Sequence, residues 1–168
     1  MAITLSGTGY DTTNKRFVYN ASTQKPTVTV KDGETTLTEN KDYTLVNAGG
    51  LNVGTYKATI RGLGNYDDQT TKDSENYSIT ALTYSNTNTT ITLGTTNYVY
   101  DGTAKEPTVQ QVKIGDIVSP STDYTPEYSN HTAAGTATVT VSPSSTGNLS
   151  GSASTTFTIN IRFFNNCV

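Results

Sequence analysis

Tryptophan is absent, and one cysteine, one histidine and one methionine stand among 168 residues. A lone Cys167 excludes an internal disulfide. It has no thiol or imidazole near it in sequence, so it reads as a tail residue and not as a metal ligand. The lone His131, in SNHTAAG, needs a nucleophile poised beside it to catalyse anything, and Ser and Thr are too abundant to nominate one. The chain contains no HExxH, no CxxC, no phosphate-binding Walker loop and no nucleophile elbow. No catalytic, cofactor-binding or metal residues are expected, and the chain does not read as an enzyme. Charged residues are only 15%, which argues against a charged disordered tail. The 11 Lys and Arg residues are scattered and the net charge is −3, so no basic face exists to displace counterions from a nucleic acid. No apolar run approaches 18 residues, so membrane insertion is not expected. Asp67, Asp68, Asp73 and Glu75 lack the spacing of a calcium loop and read as a solvated acidic loop.

What fills the chain instead is Thr, Ser, Asn, Gly and 11 Tyr residues. Thr and Tyr favour pleated, half-buried strands. Hydrophobic residues make up 33%, which predicts small cores and a largely polar surface. No segment shows a capped 3.6-residue apolar period, so the expected class is all-β.

The organisation lies in a repetition. YNASTQKPTVTV at 19–30 returns as YDGTAKEPTVQQV at 100–112. Tyr19 and Tyr100 are 81 positions apart, as are Pro26 and Pro107, Tyr43 and Tyr124, and Gly54 and Gly135. The closing segments NYSIT and TFTIN recur with the offset slipped by one, and both halves open on ITL. The first half carries a longer first loop, SGTGYDTTNKR, than the second, GTTN. A period near 80 is too long for a solenoid repeat and is the size of a small sandwich. Two tandem β-sandwich domains follow, 1–81 and 82–168, with ALTYSNTNTT as a short linker or shared strand.

Alternation in KATI and ATVTV predicts strands with one face buried. Pro26 and Pro107 are expected at a strand's first residue or on an edge. Gly54 and Gly135 are expected in a positive-φ turn conformation. Tyr43 and Tyr124 are expected to pack at a sandwich corner with bonded hydroxyls. FTINIRFF reads as an open sheet edge.

The pattern Y-[DN]-[GA], then P-T-V, D-Y-T, a Gly-Thr strand and a closing [YF]-[ST]-I resembles the bacterial immunoglobulin-like repeats of surface adhesins, similar to the MBG and YDG modules. The resemblance covers about residues 3–161 and implies two tandem immunoglobulin-like β-sandwiches. It implies stalk, spacer or adhesive roles alike. Such modules also occur in bacteriophage virion proteins. MAITLSGTGYDTT shows no signal-peptide regions and IRFFNNCV no anchor, so a virion surface location is expected, with a bacterial cell surface as the alternative. Expected partners are the virion or neighbouring subunits in a homo-oligomer, and a surface glycan or host protein. Surface immunoglobulin-like domains of this kind also form Lys–Asn isopeptide bonds, for which Lys25 and Lys105 are the candidate lysines.

Overall fold

A computed structural model describes residues 1–144 and 147–162. The chain is all-β, and its one helical element among the described residues is the 3-10 turn Gly64–Tyr66. It divides into two compact units, Met1–Ala81 and Leu82–Val168.

Unit 1 contains β1 (Ala2–Ser6), β2 (Arg16–Val18), β3 (Thr27–Asp32), β4 (Thr35–Thr36), β5 (Tyr43–Asn47), β6 (Gly54–Tyr56), β7 (Thr59–Gly62), β8 (Thr71–Asp73) and β9 (Tyr77–Thr80). They form sheets β1-β3-β4, β2-β9-β6 and β5-β7-β8. Val30, Leu37, Tyr43 and Ile60 make its core, with Ile3, Val28, Leu45 and Tyr66 packed around them. Strands of different sheets thus bury their alternating apolar residues against one another. A fully buried Val or Ile contributes roughly 1.5–3 kcal/mol.

Unit 2 contains β10 (Leu82–Tyr84), β11 (Thr89–Leu93), β12 (Asn97–Val99), β13 (Val109–Ile114), β14 (Ile117–Ser119), β15 (Tyr124–Ser129), β16 (Gly135–Pro143), β17 (Leu149–Gly151) and β18 (Ala153–Asn160). The sheets are β11-β13-β14, β12-β18-β16-β15 and the parallel pair β10-β17. Ala137, Val139, Phe157 and Ile159 form its core, with Leu93, Tyr98, Val109 and Tyr128 against them. The segment read as a linker therefore opens with a strand that pairs inside unit 2.

The repeated phrase has a local cause. The Asn20 side-chain oxygen accepts the Ser22 N–H at 3.1 Å and its hydroxyl at 2.8 Å. Asp101 does the same for Thr103, at 2.9 and 2.6 Å. The residue between is left-handed each time, Ala21 at φ 59° and Gly102 at φ 82°. The phrase is thus one Asx turn made twice, and it leads each time to a buried proline, Pro26 and Pro107. Both prolines sit just before their strands, where no ladder donor is needed.

The slips in the offset are structural too. Val30 pairs with Ile3, and Val112 with Ile91, but on β13 the register shifts between Thr92↔Gln111 and Leu93↔Val109. Gln110 is the extra residue of a β-bulge, and it lets Val112 reach the core that Val30 reaches without one. On the other side, GTYKATIRG forms two strands. β16 runs unbroken, whereas unit 1 breaks the same path into β6 and β7. Tyr56 pairs with Tyr77 and Thr59 with Asp73, so two residues face three. Ser74 bridges the break: its hydroxyl accepts the Ala58 N–H at 3.0 Å, and its N–H donates to the Ala58 carbonyl at 2.8 Å.

Two expectations are corrected. Gly135 has φ 139°, but Gly54 is not among the positive-φ glycines and simply begins β6. β18 is not an open edge, because it lies between β12 and β16. The aromatic end of the segment expected there, Phe163 and Phe164, and also Cys167, lie outside the described residues.

Candidate functional site

His131 lies in the loop between β15 and β16. Its ring stacks on Tyr128, 6.0 Å between centroids and 12° between planes. Its carbonyl accepts the Lys105 N–H at 2.8 Å, and the Tyr128 hydroxyl donates to the Pro107 carbonyl at 2.8 Å. Nδ1 is buried without a hydrogen bond, 3.9 Å from a Glu106 oxygen. The histidine clamps two loops together, and no hydroxyl bonds Nδ1, so that nitrogen has no nucleophile to activate.

The four residues expected to form an acidic loop are each tied to a cation. Asp67 lies 3.6 Å from Arg61, Asp68 3.0 Å from Lys72 and Asp73 3.2 Å from Lys57, while Glu75 pairs with Lys15. Hydrogen bonds from Thr70 and Lys72 hold the Asp68 carboxyl well below the usual carboxylate range. Among the described residues, no three His, Cys, Asp or Glu side chains come together as a metal group.

Lys25 is exposed. The Lys105 ammonium donates to Asp101 at 2.5 Å and Thr103 at 2.8 Å. These bonds hold the Asp101 carboxyl far below its ordinary range, so the pair is an ion pair.

Tyr43 and Tyr124 are both buried, but Tyr43 reaches the Val28 carbonyl only at 3.4 Å. The well-made phenol bonds are elsewhere. Tyr77 donates to the Ala48 carbonyl at 2.9 Å and Tyr84 to the Ser119 hydroxyl at 2.9 Å. The repeat spacing offers no signal for these two, since unit 2 has Phe157 where unit 1 has Tyr77.

What remains is surface. One end of unit 2 gathers Val99, Tyr100 and Ile161, which are 59%, 42% and 60% exposed. Tyr100, Ala133, Ala134, Ile161, Asp101 and Arg162 are among the residues lining a recess of about 600 Å³ there. The counterpart Tyr19 of unit 1 is 5% exposed, so the same turn buries its tyrosine in one unit and presents it in the other. An apolar floor with one carboxylate and one guanidinium at its rim can seat a partner surface, since clustered exposed apolar groups mark contact sites. A second recess, in unit 1, is lined by Ile3, Leu5 and Tyr10 together with polar side chains. Among the described residues, no helix is long and apolar enough to cross a membrane.

No family profile, no curated protein and no solved structure matches the chain.

Proposed function

We propose that this protein is a non-catalytic structural and adhesive component, two immunoglobulin-like modules in tandem displayed on the outside of a bacteriophage virion. The observation that carries the reading is the duplication itself. One β-architecture is built twice, and its repeated residues (the Asx turn, the buried proline, the corner tyrosine) all serve folding. The lone histidine packs on Tyr128, and Asp67, Asp68, Asp73, Glu75 and Asp101 are held in ion pairs. What the units present outward is Thr and Asn, with Tyr100 in unit 2, side chains suited to weak, many-fold contact on a repetitive surface. The exposed Val99, Tyr100 and Ile161 would meet the particle or a neighbouring copy. Tandem duplication also favours a second reading, a stalk or adhesion module on a bacterial cell surface.

Mass spectrometry of purified extracellular particles and of cell envelopes tests this. The expected result is the chain in the particle fraction at a fixed ratio to a shell protein. The same peptides found only in envelopes would overturn the virion reading in favour of the cell-surface one.

A further inference from the structure

Besides one residue more between Leu37 and Tyr43, unit 1 departs from unit 2 by insertion at two places that meet in space. The first is the loop between β1 and β2. Leu5 matches Leu93, 88 positions on, while Phe17 matches Tyr98, 81 positions on, so unit 1 holds seven more residues there. The second is the break between β8 and β9. Asp73 matches Ser154 at offset 81 and Tyr77 matches Phe157 at offset 80, so one residue is added within 74–76. Both insertions line one groove of about 430 Å³. The loop gives it Tyr10, Thr12 and Lys15, the break gives it Glu75 and Asn76, and the edge strand β1 gives it residues 3–6.

We propose that this groove is a binding site for a neutral carbohydrate. Its two charges cancel, because Lys15 and Glu75 pair with each other. An uncharged ligand therefore meets no unbalanced charge. The Thr4, Ser6, Tyr10, Thr12 and Asn76 side chains also line it, and among the described residues none of the five hydrogen-bonds another protein group. Within the same loop Asp11 is already spent on Thr13 and Asn14, so it does not compete for a ligand. Four hydroxyls and an amide offer donors and acceptors at several angles, which suits the hydroxyls of a sugar ring. Tyr10 adds an aromatic surface for the ring's C–H face. It is held by Phe17 at 5.1 Å and Tyr77 at 6.2 Å, so little rotamer freedom is lost on binding. An extended peptide added to β1 would be recognised through backbone groups and would leave these side chains unused. Unit 2, with a four-residue loop and an unbroken β18, lacks both walls. The inference deepens the adhesive part of the proposed function and rests on it.

The test is a titration of the isotope-labelled full chain by NMR. The probes are glucose, galactose, mannose, N-acetylglucosamine and their disaccharides, with a synthetic peptide of the β3 sequence, TVTVKD, as the competing arm. The expected result is saturable shifts from at least one sugar, confined to residues 3–15 and 74–77, with a dissociation constant in the millimolar range. Tyr10→Ala should weaken binding about tenfold, the equivalent of 1.4 kcal/mol. Tyr10 also packs on two aromatic rings, so the exposed pair Thr12→Ala and Asn76→Ala provides a variant that keeps the fold. It should weaken binding severalfold with unchanged amide spectra elsewhere. No sugar producing shifts, shifts centred on unit 2, unchanged binding in the double variant, or binding of the peptide in place of sugars would each overturn the proposal. A chain that stays on particles but binds no sugar would remove this site and leave the display reading standing.

Discussion

Replacing Tyr77 by Phe isolates one buried hydroxyl. The ring is 1% exposed, and it packs on Phe17, Tyr10 and Tyr56 with centroids 5.8–6.2 Å away. Unit 2 already places Phe157 at this position, so the ring shape is compatible with the fold. What the substitution removes is the bond to the Ala48 carbonyl, leaving that buried acceptor without its donor. The cost at neutral pH is about 1–2 kcal/mol. Alkaline pH reverses the comparison. Burial pushes the Tyr77 phenol up to about 12, while in the unfolded chain it titrates near the ordinary tyrosine value of 10.0. Above that value the unfolded state releases the proton and the folded state keeps it. Stability present below pH 10 is then lost at about 1.4 kcal/mol per pH unit as pH rises toward the folded value. Phe carries no such proton. The other tyrosines raised by burial, such as Tyr84 and Tyr124, are common to both proteins and cancel in the difference. The wild-type advantage should therefore shrink above pH 10 and vanish about one unit higher. Urea unfolding followed by the Ile60 and Ile79 methyl resonances reports on unit 1 alone. A wild-type advantage that stays constant from pH 7 to pH 11 would refute the buried, bonded phenol. A loss well above 3 kcal/mol at neutral pH would show that the ring itself had moved.

Deleting Gln110 should leave unit 2 folded, with stability changed by no more than about 1 kcal/mol, because it removes a bulge and restores the register that unit 1 uses. Deleting Thr29 from the unbulged β3 should unfold unit 1, since a one-residue slip sends Val30 to the wrong face. Circular dichroism melts of the two deletions check both, and equal losses would reject the bulge assignment. Gly135→Ala should cost about 1–3 kcal/mol because its φ is 139°, although a Cβ there has open space. Gly54→Ala, with ordinary φ and a 3.5 Å approach to Tyr56, should stay within about 1 kcal/mol, and similar effects at the two sites would contradict their assigned conformations. Carboxyl-carbon NMR should find Asp68 and Asp101 still ionised at pH 3. Their folded values are depressed, so their contribution is present above the unfolded value and is lost only as pH falls through the folded one. Ordinary midpoints would dissolve both ion pairs.

The class and the doubled organisation are legible because strands announce themselves by alternation, and a repeat states each position's role a second time. Pro26, Tyr43 and Ile79 each have a counterpart in the other half, Pro107, Tyr124 and Ile159, that carries the same signal. The strands that alternation does not announce are Thr35–Thr36, Thr71–Asp73, Leu82–Tyr84, Ile117–Ser119 and Leu149–Gly151, two or three residues long. No period can be read in so short a run, and three of the five are polar enough to pass for turns. Alternation also states which face a residue takes and says nothing of its partner across the core. That is why the acceptors of Tyr77, Tyr84 and Tyr128 are not legible, and why FTINI reads as an edge when it lies between two strands. The positive φ expected at both Gly54 and Gly135 fails at one of them because identity at matching positions does not require identical backbone.

The mismatches within the repeat carry the functional information, because whatever is present twice is accounted for by folding one unit. Four slips in register distinguish the halves, one of them a single residue more in unit 1 between Leu37 and Tyr43, outside both recesses. Gln110 in unit 2 is absorbed by a bulge whose consequence is to keep Val112 in the core, so it serves packing. The two remaining slips add residues to unit 1 in the loop 7–15 and in the break at 74–76, and neither adds a residue to the core cluster around Val30 and Ile60. Their polar side chains stand in one groove, joined across it by the Lys15–Glu75 pair. An insertion that served stability alone would be expected to bury apolar surface or to close its hydrogen bonds. These two do so in part, through Tyr10 against Phe17 and Tyr77 and through Ser74 on Ala58, yet they also leave the Thr12 hydroxyl and the Asn76 amide exposed and without protein partners, where a polar ligand can replace water. Shortening residues 7–15 to the length of GTTN therefore separates the two roles: if the insertion serves binding, the fold survives and sugar binding is lost.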